Sequence, residues 1–310
     1  RIIRGVGAAQ AEDRGAAAAL GNFDGVHLGH RAVLDAARAG APHAPLAVVT
    51  FDPHPRRFFA PASEPFALTT PAGKARRLAA LGVARLFVVD FDAGLAAMTP
   101  AQFCEDVLAR GLGLAHVAVG ADFRFGARRA GDVETLRAEG ARLGFGVSVA
   151  ALASDGGGEI SSTAIRAALR EGRPQDAARM LGGWHRIEGV VEHGEKRGRI
   201  LGYPTANLSL DGLALPRFGV YAVTAAVLDG PHAGTYGGVA SLGVRPMFGE
   251  NRPNLETFLF DFTGDLYGAT LSVGLVAFQR PELRFDGVPA LVAQMARDAA
   301  EARAILAAVA

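Results

Sequence analysis

Gly21-Asn22-Phe23-Asp24-Gly25-Val26-His27-Leu28-Gly29-His30 joins an apolar run, Ala16–Gly21, to a segment of helical period, His27–Ala39. A buried strand that turns through glycines into a helix is the opening unit of a parallel α/β sheet. Glycines at such a turn let backbone N–H groups approach an anion, and the helix start adds about half a positive charge. His27 and His30 are three apart, so at a helix start both imidazoles lie on one face. Together they can hold nucleotide phosphates and stabilise charge on a departing pyrophosphate. Two histidines beside a turn also have a plainer reading as surface residues. The H-x-G-H spacing directly after the first strand of an α/β pattern is what favours the phosphate site.

Outward from this stretch, apolar runs alternate with helical periods. Strands are expected at Leu46–Phe51, Arg85–Asp90, His116–Gly120 and Gly146–Ala151. Helices are expected at Ala72–Leu81, Pro100–Leu108 and Asp132–Leu143, then at Thr163–Arg170 and Pro174–Leu181. Strands this apolar, with helices between them, predict a parallel sheet covered on both faces. Its ligands belong at the carboxyl ends of the strands. After Gly182-Gly183 the period changes. Short alternating runs at Arg186–Val191, Val220–Leu228, Thr235–Leu242, Leu255–Phe262 and Leu271–Phe278 predict a small antiparallel barrel or sandwich, and Val288–Val309 returns to a helical period. The expectation is two domains, a Rossmann-like residues 1–183 and a β-barrel with a final helix over residues 184–310.

Composition agrees and excludes several classes. At 310 residues the chain can form two cores, since single domains usually hold about 100–200. With 32 basic and 31 acidic residues, the formal charge of +1 gives no support to a nucleic-acid or polybasic membrane partner. No apolar run approaches the ~18 residues that cross a bilayer. The start, Arg1-Ile2-Ile3-Arg4, lacks the apolar stretch of a secretory signal, and Cys104 has no cysteine partner. A cytoplasmic protein is expected, with homo-oligomer formation left open. Only Lys74 and Lys196 among the basic residues are lysine.

Three further segments of the first half carry candidate groups. Ile160-Ser161-Ser162-Thr163-Ala164-Ile165-Arg166 opens a helix with three hydroxyls where one would serve as a cap, and Arg166 lies one turn in, within reach of phosphate oxygens. Thr50-Phe51-Asp52-Pro53-His54-Pro55 ends a strand in a proline-held loop around His54. Gly120-Ala121-Asp122-Phe123-Arg124-Phe125-Gly126 offers Asp122 for hydrogen bonding and the rings of Phe123 and Phe125 for a flat ligand or for core packing. Arg128 and Arg129 are helpers or plain surface charge.

The second half has no Walker motif, for Gly73-Lys74 is followed by Ala75 and lacks the upstream glycine. Instead Gly194, Gly198 and Gly202, four apart, can form a loop over phosphates, and Tyr203-Pro204-Thr205-Ala206-Asn207 follows in extended geometry. In a strand, Thr205 and Asn207 project to one side, where a hydroxyl and an amide oxygen suit Mg²⁺ or simply make a polar face. Alternation in Leu255–Phe262 puts Glu256 on the face of Phe258, Phe260 and Phe262, expected to be the inner one. A carboxylate there needs a partner, such as Arg245, or a task, such as general base, which contributes about 10²–10⁴-fold.

These segments, G-x-F-D-G-V-H-x-G-H, T-F-x-P-H-P, G-x-D-F-x-F-G and I-S-S-T-x-x-R in order, resemble the adenylyltransferase module of bacterial bifunctional riboflavin kinase/FAD synthetases. H-x-G-H alone indicates only the nucleotidylyltransferases, which include cytidylyltransferases and class I aminoacyl-tRNA synthetases. The hydroxyl-rich Ser161–Arg166 stands where the synthetases carry a lysine signature. The P-T-A-N run, the L-E-x-x-L-x-D-F strand and Gly238–Pro246 resemble the family's riboflavin kinase module. Phe258 stands where relatives usually have His, and Met247 where Thr is common.

The resemblance implies ATP-dependent phosphorylation of riboflavin to FMN, then adenylylation of FMN to FAD with release of pyrophosphate. Glu256 is then the kinase base, with Thr205 and Asn207 serving Mg-ATP. His27, His30 and Arg166 stabilise the pyrophosphate. Gly21, Asn22, Phe23, Asp24, Gly29, Ser161, Ser162 and Thr163, with Gly194, Gly198 and Gly202, are the expected ATP or phosphate residues. His54, Asp122, Phe123, Phe125 and Arg245 are the expected flavin residues. Two competing readings are a nucleotidylyltransferase for another substrate with an accessory barrel, and a non-enzymatic flavin carrier. The first leaves the Glu256 strand unexplained; the second needs no paired ATP motifs.

Overall fold

Strand β2 (Ala17–Leu20) is the middle of the first sheet and is made of three alanines and a leucine, all buried. Small side chains here let helices approach both faces. The computed structural model describes residues 1–151, 158, 160–193, 198, 201–247 and 250–309, without the side chains of 245–247, 250 and 251. The chain divides into two compact units, one of Arg1–Ser63 with Pro71–Ser161 and the other of Glu64–Thr70 with Ser162–Ala310.

In the first unit β1 (Ile2–Arg4), β3 (Leu46–Asp52), β4 (Arg85–Asp90), β5 (His116–Gly120) and β6 (Gly146–Ala150) join β2 in one all-parallel sheet of order β1-β4-β3-β2-β5-β6. Helices α1 (Leu28–Gly40), α2 (Pro55–Phe59), α3 (Pro71–Ala80), α4 (Ala93–Ala97), α5 (Pro100–Gln102) and α6 (Val133–Leu143) fill the connections. The expected helix from Pro100 is α-helical only through Gln102 and then runs as a π-helix, Phe103–Gly111. Alternation splits the sheet between two cores. Ala18 and Leu20 face one with Phe87, Val117 and Phe103, while Ala19 faces the other with Val33, Leu34 and Ala37 of α1. The chain moves from β2 to β3 on one side and later to β5 on the other. The topological switch point therefore lies between β2 and β5, where an open α/β sheet forms its ligand crevice.

In the second unit, α7 (Ser162–Arg170) and α8 (Pro174–Leu181) precede six antiparallel strands. These are β7 (His185–Val190), β8 (Ala206–Ser209), β9 (Gly219–Val227), β10 (Gly234–Met247), β11 (Glu250–Leu259) and β12 (Thr270–Arg280), in the order β7-β12-β9-β10-β11-β8. The Glu192 amide donates to the Asn207 carbonyl at 3.0 Å and nearly closes the barrel. Its interior is mostly aliphatic, with Leu208, Val223, Ala225, Leu242, Leu255 and Val273, and it also holds the Tyr221 ring. This corrects the expected facing of β11. Leu255, Thr257 and Leu259 point inward, whereas Glu256, Phe258 and Phe260 lie on the outer side. A six-stranded barrel has little room inside, part of it taken by Tyr221, and Phe258 and Phe260 pack instead beneath α9 (Val288–Val309) with Ala302, Ile305 and Leu306, while Phe262 packs against the barrel core.

Asp298 fastens α9 to the barrel. Its carboxylate accepts from Arg280 Nε at 2.9 Å, Arg280 Nη2 at 2.5 Å and Gln294 Nε2 at 2.8 Å, and its side chain is 5% exposed. Removing one partner of a pair this buried leaves an uncompensated charge. Asp298→Ala is expected to destabilise the barrel by about 3–5 kcal/mol, seen as a lower urea midpoint. An unchanged midpoint would refute this role.

Candidate active sites

The first candidate site forms where β2 ends beside the switch point. His27 is the N-cap of α1, and the two histidines cap one another. The His30 amide donates to His27 Nδ1 and the His27 amide donates to His30 Nδ1, both at 3.3 Å. With Nδ1 accepting in each ring, the neutral tautomer carries its proton on Nε2. The rings stack with centroids 3.6 Å apart, and Phe23 stacks on His30 at 4.7 Å. Burial, then His27 and Lys74, hold His30 well below its ordinary 6.5. The site thus presents two neutral Nε2–H donors at a helix N-terminus.

The turn before them is tightly held. Phe23 and Val26 adopt left-handed backbone, with φ of 51° and 49°. Phe23 and Asp24 are buried, so the Phe23 ring supports His30 from within the core. Gly29 is needed for space, because a Cβ there would sit 3.0 Å from His27 Cε1 and 3.1 Å from its Nδ1. The Asn22 carbonyl accepts from Thr50 Oγ1 at 3.0 Å and from Lys74 Nζ at 2.9 Å. Lys74 and Thr50 were missed as site residues. The available signal was a lysine in a chain whose basic residues are nearly all arginine.

The other expected groups of this unit have varied placements. His54 caps α2, accepting the Arg56 amide at Nδ1 at 3.0 Å. Phe125 is buried in the core and stacks with the half-buried Phe123 at 5.6 Å, while Asp122 is exposed in the loop after β5. That loop flanks the same switch point as the histidine pair. Arg128 and Arg129 are exposed, with left-handed φ of 55° and 59°. Arg166 belongs to the second unit, where Nε donates to the Phe66 carbonyl at 2.6 Å and the guanidinium lies over the Phe66 ring. Ser162 and Thr163 open α7, directly after Ser161.

On the outer side of the barrel, Glu256 stands in register with Ser241 of β10 and Asn207 of β8. Asn254 Nδ2 donates to Asn207 Oδ1 at 3.3 Å, and Asn207 Nδ2 donates to the Thr205 carbonyl at 3.4 Å. Asn254 Oδ1 is buried without a hydrogen-bond partner among the described residues. Opposite Asn254, a Cβ added to Gly243 would collide with the Glu282 carboxylate, placing a second acid near this face. Neither Asn254 nor Glu282 was foreseen, since nothing in a single sequence pairs β10 with β11. Thr205 also lines a cavity of about 180 Å³ with Thr257, Leu259, Phe262 and Tyr267. Gly198 folds back so that its carbonyl accepts from the Leu201 and Tyr203 amides, and Gly202 has φ 80°. Gly194 lies outside the described residues, as does the Arg245 side chain.

A histidine pair at the switch point of a parallel sheet, joined in one chain to a barrel carrying P-T-A-N and a strand glutamate, defines a nucleotide-dependent transferase with two transfer modules. Residues 9–164 match the family model described as FAD synthetase, and residues 181–306 match that described as Riboflavin kinase. The chain belongs to the bifunctional riboflavin kinase/FMN adenylyltransferase family. The relative of that name from Pseudomonas fluorescens is 40% identical, covering 99% of this chain and 98% of its own. That of Escherichia coli K12 is also 40% identical over 98% and 97%, and that of Bacillus subtilis is 37% identical over 92% and 90%. A solved Streptococcus pneumoniae structure, named as a macrolide-efflux protein, covers 96% of both chains with a TM-score of 0.82 at 30% identity. No helix among the described residues is long and apolar enough to cross a membrane. The enzyme phosphorylates riboflavin to FMN and adenylylates FMN to FAD, with ATP as co-substrate.

Two outcomes are expected. Gly29→Ala should displace His27 and slow FAD formation by about tenfold to a hundredfold, with FMN formation unchanged in a coupled chromatographic assay. Because the folded His30 binds its proton less readily than the unfolded one, stability is full above pH 6.5 and falls as pH drops below it. Thermal unfolding between pH 7 and 5 should show this loss, and His30→Gln should diminish it.

Proposed function

We propose that the two transfers use separate sites, adenylyl transfer in residues 1–183 and phosphoryl transfer in residues 184–310. The ranges of the two family models support this functional division. The observation that carries the first assignment is the reciprocal cap, which leaves both imidazoles with Nε2–H as their donor edge. The FMN phosphate attacks the α-phosphorus of ATP, and the bond to the β,γ-pyrophosphate breaks. His27 and His30 donate to the oxygens on which charge grows, assisted by the start of α1. Ser161 adds a donor for ATP phosphates, with Gly21, Asn22, Asp24 and Gly29 shaping the turn around the histidines. Asp122 and the Phe123 edge, beside the same crevice, take the flavin, with His54 holding the neighbouring loop.

In the barrel, Glu256 accepts the proton of the riboflavin 5′-hydroxyl as that oxygen attacks the γ-phosphorus of ATP and the bond from that phosphorus to the β,γ-bridging oxygen breaks, releasing ADP. Its place in register with Asn207 supports the pairing of base and nucleotide site. The oxygens of Thr205, Asn207 and Asn254 are neutral, with Asn254 Oδ1 lacking a hydrogen-bond partner among the described residues, and this set fits a hard cation that keeps several waters or phosphate oxygens. Thr205 and Asn207 would hold Mg²⁺, which when bound offsets charge on the phosphates. Gly198 and Gly202 belong to the loop over ATP. We read the protein as cytoplasmic.

Glu256→Gln should reduce FMN formation by about 10²–10⁴-fold and leave conversion of supplied FMN to FAD intact. His30→Ala should do the reverse. Chromatography of the flavin products after incubation with riboflavin or FMN, ATP and Mg²⁺ separates the two. Loss of both activities in either folded variant would contradict separate sites.

A further inference from the structure

We infer that Lys74 is a positioning residue for adenylyl transfer: its half-buried ammonium clamps the Asn22 carbonyl and so holds the Phe23 ring against His30. This rests on the assignment of that transfer to the His27–His30 pair. The clamp is direct, with Nζ donating to Asn22 O at 2.9 Å and to Thr50 Oγ1 at 3.5 Å, while Thr50 Oγ1 donates to the same carbonyl. Two donors from two elements, α3 and β3, therefore fix the orientation of the Asn22–Phe23 peptide. The next residue, Phe23, has φ 51°, and Val26 has φ 49°. Non-glycine residues in this region persist only where surrounding contacts hold them. If the peptide turned, Phe23 would leave its stack on His30, and the Nε2–H donors would lose their aim.

The charged and titratable groups facing Lys74 are Asp24 in the turn, Asp52 at the end of β3 and His30 in α1. The two carboxylates favour the ammonium against a burial that disfavours it. Among 32 basic residues only two are lysine, so the type at this position runs against the strong arginine bias of the chain. A lysine is a compact point donor on a flexible stem and suits one carbonyl and one hydroxyl. A guanidinium would bring five N–H donors in a rigid fork to the same confined place.

The test uses the full chain. Lys74→Met should lower kcat for FMN adenylylation by about tenfold to a hundredfold, with a smaller change in KM for ATP and with riboflavin phosphorylation at the wild-type rate. Lys74→Cys should show the same loss, and treatment with 2-bromoethylamine should restore most of the rate by rebuilding an ammonium at that position. Cys104 is fully buried, with its thiol pushed up to about 12, so the reagent spares it. Wild-type adenylylation in Lys74→Met beside an inactive His30→Ala would overturn this inference alone. Full adenylylation in His30→Ala would overturn the site assignment and the inference with it. Loss of both activities, or no recovery after aminoethylation, would assign Lys74 to fold stability and overturn its positioning role.

Discussion

The mutual cap of His27 and His30 is the constraint on which the geometry at the switch point of the parallel sheet depends. A helix start leaves several amide protons without internal acceptors, and an imidazole is an uncommon acceptor for them. Here two such amides are satisfied by two imidazoles, and in the same act the rings are oriented, stacked and given one tautomer. Local backbone hydrogen bonding thus fixes the orientation of both rings at the start of α1. Sheet order then decides where the rings lie. Because β2 has β3 on one side and β5 on the other, the cap opens into the crevice formed by diverging connections.

The barrel solves a different problem. Its six strands enclose a mostly aliphatic interior and leave the outer surface for both packing and polar groups. On β11 these alternate along a single strand, with Leu255, Thr257 and Leu259 inside and Glu256 and Phe258 outside, followed by Phe260 just past the strand end. The phenylalanines are covered by α9, and Arg303 lies over the Phe260 ring at 4.2 Å. Glu256, nearer the other end of the strand, stands beside the asparagines of β8 and β11. A carboxylate at the margin between a covered and an open part of one surface keeps access to solvent while its neighbours are dry.

Much of the fold was legible because period and hydrophobicity are local properties. The ranges His116–Gly120, Arg85–Asp90, Pro174–Leu181 and Val288–Val309 coincide with the elements in the structure. The three-residue β1 escaped, since Ile2-Ile3-Arg4 is too short to show alternation and is a strand only because β4 pairs with it. The wrong face was chosen for Glu256 because aromatic residues were equated with the interior, although Phe258 and Phe260 find their cover beneath a helix outside the barrel. Motif spacing brought His27 and His30 to one helix start, but their capping of each other depends on ring geometry that no spacing encodes. Lys74 and Asn254 were invisible for a related reason. Each acquires meaning from a partner 52 or 47 residues away.

The Arg280–Asp298 pair bears on the order in which the chain can mature. All strands of the parallel sheet have left the ribosome once Ala150 emerges, and domains fold as units from the N-terminus during synthesis. The barrel has its last strand at Arg280 but lacks its counter-ion and the cover for Phe260 until Asp298 and Ala302 follow. The parallel sheet can therefore consolidate while translation continues, whereas the barrel waits until Asp298 and Ala302 have been made.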